Sequence, residues 1–173
     1  MNTQTVSFMD SSGISPTNLH FTYNENIIIF TNNYLDLYKY SFIDDSLTFI
    51  ETGSNTQNYK FTMSPNGEKA AFLKDSQGWF GGNNIDVMVV DIISDEVSVL
   101  ETFSSLDHGC VLPMYGLDYR TYWGVDDYIY FTICESDNYQ DGLGLQLLKI
   151  HSSGGNAIQL LENEILYTLG LKD

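Results

Sequence analysis

The feature that most constrains this chain is that it repeats itself. Three segments align: Leu19–Glu51, Tyr59–Glu101 and, more loosely, Leu117–Glu162. A repeated unit of this length is one supersecondary element that cannot bury its apolar face alone, so the units must stack on one another. Each repeat reads as four short runs rich in Val, Ile, Tyr and Phe, separated by turn residues, which predicts four β-strands per repeat. No stretch of a dozen residues keeps a 3.6-residue apolar period, so a helical reading is poor.

The second repeat shows the pattern best. Its first run, YKFTM, meets Ser64-Pro65-Asn66-Gly67, where Pro presets φ and Asn-Gly supplies positive φ. KAAFLK follows, then a polar, glycine-rich loop, then IDVMVVDI, a turn at Ser94-Asp95-Glu96, and the run VSVLE. Equivalent positions are Ile29-Phe30, Ala71-Phe72 and Tyr130-Phe131 in the second strand, and Leu37-Tyr38, Val87-Met88 and Gln146-Leu147 in the third. The run from Phe61 through Ser-Pro-Asn-Gly-Glu-Lys to Phe72, followed by Ile85-Asp-Val-Met-Val-Val-Asp91, resembles the repeat of TolB-type and WD40-like β-propellers. Tyr23-Asn24-Glu25-Asn26 and Gly124-Val125-Asp126-Asp127 replace the Ser-Pro-Asn-Gly turn in the other repeats. The resemblance implies an all-β fold of three four-stranded antiparallel blades, about 19–51, 59–101 and 117–162, in a single domain over 1–173. An open β-sandwich of similar strands is the competing architecture.

Three blades make only part of a ring, because propellers close with about 4 to 8. A half-propeller exposes two end faces, which predicts a homodimer of six blades, the closed symmetric solution for a soluble oligomer. Two further strand-like segments, residues 5–9 and 165–169, lie outside the repeats. They read as seam strands across a dimer boundary, or as a partial fourth blade in a monomer.

Charge narrows the partner classes. With 23 Asp and Glu against 7 Lys and Arg, the formal net charge is -16 and the pI about 4.1. Direct nucleic-acid binding is disfavoured, since a polyanion needs clustered cations and the lysines here are scattered singly. Anionic membranes are disfavoured for the same reason. The N-terminal MNTQTVSFMDSSG has neither a basic n-region nor an apolar run, so a cytoplasmic protein is expected, or a periplasmic one had a signal peptide been removed. Cys110 and Cys134 read as ordinary thiols.

No catalytic signature is present. His20, His108 and His151 fall in separate repeats or connectors, outside any His-Glu-x-x-His context. There is no Gly-x-Ser-x-Gly elbow and no Walker loop. Asp107-His108-Gly109-Cys110 crowds metal-type ligands but lacks a second ligand pair, so no metal site is assigned. Residues 135–142, ESDNYQDG, alternate oxygen side chains before a glycine; a calcium loop is the weaker reading beside a solvated hairpin, and no cofactor is expected. Asp36 and Asp86 occupy equivalent positions before the third strand and read as supports of the blade, or as carboxylates of a propeller enzyme acting at a central channel.

Recognition is what remains. Large aromatics in polar loops are candidates for partner contacts, since loops on a rigid scaffold carry function. These are Trp79, Phe80, Tyr115, Tyr119 and Tyr139, with Asp137 beside the last; Tyr122 and Trp123 are expected to pack between blades. The leading expectation is a non-enzymatic protein-binding or scaffold module with acidic, aromatic-bearing loops. A narrower version is an acidic inhibitor, of the kind phages use against host defence, that blocks a basic nucleic-acid-binding protein.

Overall fold

The computed structural model describes residues 17–32, 36–51, 61–75, 84–103, 121–134 and 145–161. They form twelve strands and no helix. The first sheet comprises β1 (Thr17–Phe21), β2 (Ile27–Thr31), β3 (Leu37–Ser41) and β4 (Ser46–Glu51). The second comprises β5 (Thr62–Met63), β6 (Lys69–Asp75), β7 (Ile85–Asp91) and β8 (Val97–Phe103); the third, β9 (Thr121–Trp123), β10 (Tyr128–Cys134), β11 (Leu145–His151) and β12 (Ile158–Leu161). Within each sheet the strands run in chain order, every pair antiparallel. The three repeats are thus three four-stranded meanders, and the paired positions read from sequence fall on β2, β6 and β10 and on β3, β7 and β11. The expected terminal strands at 5–9 and 165–169 lie outside the described residues.

The second sheet is sandwiched. Strand side chains alternate between faces, and on one face of the second sheet Ala70, Val90 and Ile92 join Ile29 and Leu37 of the first in one core cluster, with Phe61. On its other face Ala71, Leu73, Val87 and Val89 join Trp123, Ile129, Phe131, Ile133, Leu148 and Ile150 of the third. Phe103 and Phe131 meet across this second seam with ring centroids 5.6 Å apart. Each fully buried side chain of this size contributes roughly 1.5–3 kcal/mol of apolar burial.

Polar contacts pin the seams. Lys39 in β3 reaches the second sheet, forming an ion pair with Asp95 and donating to the carbonyl of Ile92 at 3.2 Å. Lys74 pairs with Glu51 at 2.6 Å. Across the other seam, Thr121 Oγ1 donates to the Ala71 carbonyl at 3.0 Å and the Ala157 amide donates to Glu101 at 2.7 Å.

One aromatic departs from expectation. Trp123 is buried at the seam, but its neighbour Tyr122 is 66% exposed. The cause is the pleat: consecutive residues of β9 face opposite sides, and only one side of the third sheet packs on the second.

Candidate interaction surface

Two sets of connections leave each sheet at opposite ends. At one end lie the turns β1–β2 and β3–β4 and their counterparts, tied together by the same backbone bond in every repeat. Phe42 N donates to the Asn26 carbonyl at 2.8 Å, Ile92 N to that of Glu68 at 2.9 Å, and Ser152 N to that of Asp127 at 3.0 Å. The opposite end receives the connections flanked by Asp75 and Ile85, Phe103 and Thr121, and Cys134 and Leu145. Trp79, Phe80, Tyr115, Tyr119, Asp137 and Tyr139 all belong to those connections. Their own positions lie outside the described residues, as do Asp107–Cys110 and the acidic loop 135–142.

The tight-turn end is acidic, and its local geometry explains why. In the first repeat Ser41 Oγ donates to Asp44 at 3.1 Å, while Asp45 sits at φ 50° and accepts a bond from the Tyr40 hydroxyl. In the second, Asp91 Oδ1 accepts the amides of Ile93 at 2.9 Å and Ser94 at 3.0 Å, and Asp95 takes φ 60°. In the third, Asp126 accepts the Tyr130 hydroxyl at 2.7 Å and Asp127 takes φ 66°. Asp and Asn tolerate the left-handed region better than other L-residues and bond their own turn, so tight turns collect carboxylates here.

These bonds set the protonation behaviour of the end. The Ser94 amide, seconded by that of Ile93, holds the Asp91 carboxyl below its ordinary 3.8. The Tyr130 hydroxyl does the same for Asp126, and the two tyrosines that donate, Tyr40 and Tyr130, are pushed above their usual 10.0. Hydrogen bonding to the charged carboxylate favours that form, so Asp91 and Asp126 hold their charge to lower pH than an unbonded aspartate.

Among these carboxylates stand apolar side chains that no sequence reasoning singled out. Ile43 is 69% exposed, Ile93 60% and Val125 94%. Ile43 and Ile93 occupy the same place in their turns, two residues before the positive-φ Asp; the signal was the shared apolar pair Phe42-Ile43 and Ile92-Ile93 between the end of one strand and an acidic turn.

The remaining titratable candidates are engaged structurally. Asp36 accepts the Asn32 side-chain amide at 3.0 Å, and Asp86 accepts the Thr102 hydroxyl at 2.6 Å, so both brace their own sheets. His20 lies edge-on to Phe61 with centroids 4.8 Å apart, and partial desolvation holds its imidazole below 6.5. His151 closes the β11–β12 turn, its Nδ1 2.7 Å from Ser153 Oγ. Among the described residues no three His, Cys, Asp or Glu side chains are grouped to hold a metal, and no helix is long and apolar enough to cross a membrane.

No family model and no curated protein matches the chain. Solved structures do. An oligogalacturonate lyase from Vibrio parahaemolyticus superposes over 84% of this chain and 40% of its own, with TM-score 0.54 and 12% identity. Dipeptidyl peptidase 4 from Porphyromonas gingivalis superposes over 86% of this chain and 26% of its own, with TM-score 0.56 and 7% identity. The three sheets are blades of a β-propeller. An acylaminoacyl peptidase from Pyrococcus horikoshii adds a third match, over 85% of this chain and 25% of its own, with TM-score 0.52 and 13% identity. At these identities the likeness is one of fold, and the propeller chain described here spans two-fifths or less of each match.

Proposed function

We propose that this three-bladed propeller is a non-enzymatic binding module whose tight-turn end engages a protein partner with a basic surface. The observation that carries the reading is Ile43, Ile93 and Val125 standing exposed among turn carboxylates in all three blades. Apolar contacts inside a charged rim give an interface both burial and electrostatic selection. The net charge of -16 favours a cationic partner by the same logic. The bonds that occupy Asp36, Asp86, Asp91 and Asp126 support a structural use of these carboxylates over an acid–base one. The opposite end, with Trp79, Phe80, Tyr115, Tyr119, Asp137 and Tyr139 on its connections, is the second surface proposed for contact.

The test is affinity capture from the native host, followed by binding of the recovered protein to two variant sets. Loss of binding on Ile43→Glu with Ile93→Glu assigns the tight-turn end; loss on Trp79→Ala with Tyr139→Ala assigns the other. Binding should weaken steeply as salt rises past the roughly 0.15 M that screens charges beyond about 8 Å. Retained binding in both variant sets, or indifference to salt, overturns the reading. The high acidity favours a second, narrower version in which the partner's basic surface is one that binds nucleic acid and the module blocks it. Competition between the module and an oligonucleotide for the recovered partner distinguishes the two.

A further inference from the structure

The two blade seams are built from different interactions. Between the second and third blades Leu73, Val87, Ile129, Phe131, Ile133 and Ile150 are each at most 1% exposed, and β9 runs close along β5 and β6. Between the first and second blades the buried core is smaller among the described residues, and Ile27, Ile50 and Val97 at its margin are only partly buried. Both ion pairs among the described residues cross that first seam, Lys39 with Asp95 and Lys74 with Glu51. The polar contacts described at the second seam, from Thr121 to the Ala71 carbonyl and from the Ala157 amide to Glu101, involve no side-chain cation.

A local irregularity of the strands places these charges. In β4 the pairing register shifts between Leu37 and Tyr38, so Ile50 and Glu51 both stand opposite Leu37, the geometry of a β-bulge. Strict alternation would send one of them to the far side of the sheet. The bulge keeps both at the seam: Ile50 packs on the core cluster and Glu51 meets Lys74 at 2.6 Å. β8 repeats the device with Leu100 and Glu101 opposite Val87, but this glutamate meets a backbone amide in place of a lysine. Lys39 adds the second charged contact of the first seam, with Asp95 and with the Ile92 carbonyl at 3.2 Å. The four side chains of the two ion pairs keep between 15% and 33% exposure, so salt can screen them.

We infer that the first seam is an ionic latch: raised ionic strength frees the first blade from the second while the second and third stay joined. A lone blade cannot bury the face that met its neighbour, so release of the seam and opening of the first blade's strand ladders are one event. The latch also fixes the spacing of Ile43 and Ile93, which stand in turns of the two blades it joins. That consequence rests on the tight-turn end being the binding surface, whereas the opening itself does not.

Amide hydrogen exchange on the full chain tests the latch. Raising NaCl from about 0.01 M to about 1 M shortens the screening length from about 30 Å to about 3 Å. Exchange at Ile29, Phe30 and Tyr38 should quicken roughly tenfold, while at Ile129, Phe131 and Leu148 it should hold or slow. The general effect of salt on a chain of net charge -16 has the opposite sign, because screening self-repulsion slows exchange in every blade. Lys39→Met combined with Glu51→Gln should give fast first-blade exchange at low salt and no further response to salt. Glu51→Lys alone should quicken it likewise, and Glu51→Lys with Lys74→Glu should restore slow, salt-sensitive exchange. Protection at Ile129 and Phe131 reports in each variant that the other blades are folded. Salt-independent exchange in the first blade, equal quickening in all three blades, or failure of the exchanged pair to recover protection overturns the inference.

Discussion

Gly67→Ala tests how the first two blades are joined. Gly67 has φ 71°, which costs an L-residue about 1–2 kcal/mol. Backbone conformation is not the main reason for glycine, however, because Asp127 holds the corresponding turn position of the third blade at φ 66° with a side chain present. What differs is the neighbour. A Cβ on Gly67 would stand 2.5 Å from the Tyr23 nitrogen and 3.0 Å from the Thr22 carbonyl carbon, both backbone atoms of the first blade. The same approach lets the Tyr23 amide donate to the Gly67 carbonyl at 2.9 Å. A methyl there must push the turns apart and break that bond, adding about 1 kcal/mol to the conformational cost. The sum is about 2–3 kcal/mol, and at about 2–4 °C per kcal/mol for a chain of this size the melting temperature should fall by about 4–12 °C. Asp127→Ala is the control: it keeps a Cβ at a similar positive φ, loses only the long 3.4 Å bond from Trp123 Nε1, and should lower the melting temperature by no more than about 4 °C. Thermal unfolding followed by circular dichroism reads both. Equal shifts in the two variants would refute the account, because they would show that conformation alone, and not the close approach of two blades, requires the glycine.

Other substitutions probe other layers. Phe131→Ala, at a position buried between the second and third blades and against Phe103, should cost about 3–5 kcal/mol in denaturant unfolding. Ile43→Ser should cost less than about 0.5 kcal/mol, since that side chain stands in water; a larger loss would mean it packs on something. Asp91 has a folded-state pKa below the ordinary 3.8, so its contribution is complete above 3.8 and is lost as pH falls through the folded value. Asp91→Asn should therefore flatten the acid limb of a melting-temperature profile taken between about pH 5 and about pH 2.5, and an unchanged limb would remove Asp91 as its source. Lys39→Met should destabilise by about 1 kcal/mol, leaving the Ile92 carbonyl and Asp95 short of a donor in a partly sheltered seam.

The architecture was legible because period-2 alternation and turn chemistry agree across repeats. Ile29-Phe30, Ala71-Phe72 and Tyr130-Phe131 could be matched by eye, and they occupy matching strand positions. Turn conformations were legible only where glycine announced them. Gly67 followed from Asn-Gly, whereas Asp45, Asp95 and Asp127 at φ 50°, 60° and 66° did not, because an aspartate in a turn is equally at home in right-handed geometry. At the sheet edge β5 is Thr62–Met63, and Phe61, which the run YKFTM placed in the strand, precedes it. Large loop aromatics are conspicuous in a sequence, which is why Trp79, Phe80, Tyr115, Tyr119 and Tyr139 stood out. The exposed Ile43, Ile93 and Val125 did not, since an aliphatic residue beside a strand reads as core until the direction of the strand end is known.

The looseness of the third repeat has a physical origin that the sandwich makes visible. The second blade is covered on both faces, so its second strand carries the small pair Ala70-Ala71 where both neighbours approach, and its third strand is aliphatic throughout Val87-Met88-Val89-Val90. In the third blade the positions turned toward the second keep that character: Ile129, Phe131, Ile133, Leu148 and Ile150 are all buried. The positions turned away include Tyr128, Tyr130, Thr132, Lys149 and His151, side chains that carry a polar tip on an apolar body or are polar outright, beside the aliphatic Leu147. On the first blade's face turned away from the second, Ile28 and Phe30 are buried while Phe21 and Phe49 stand exposed.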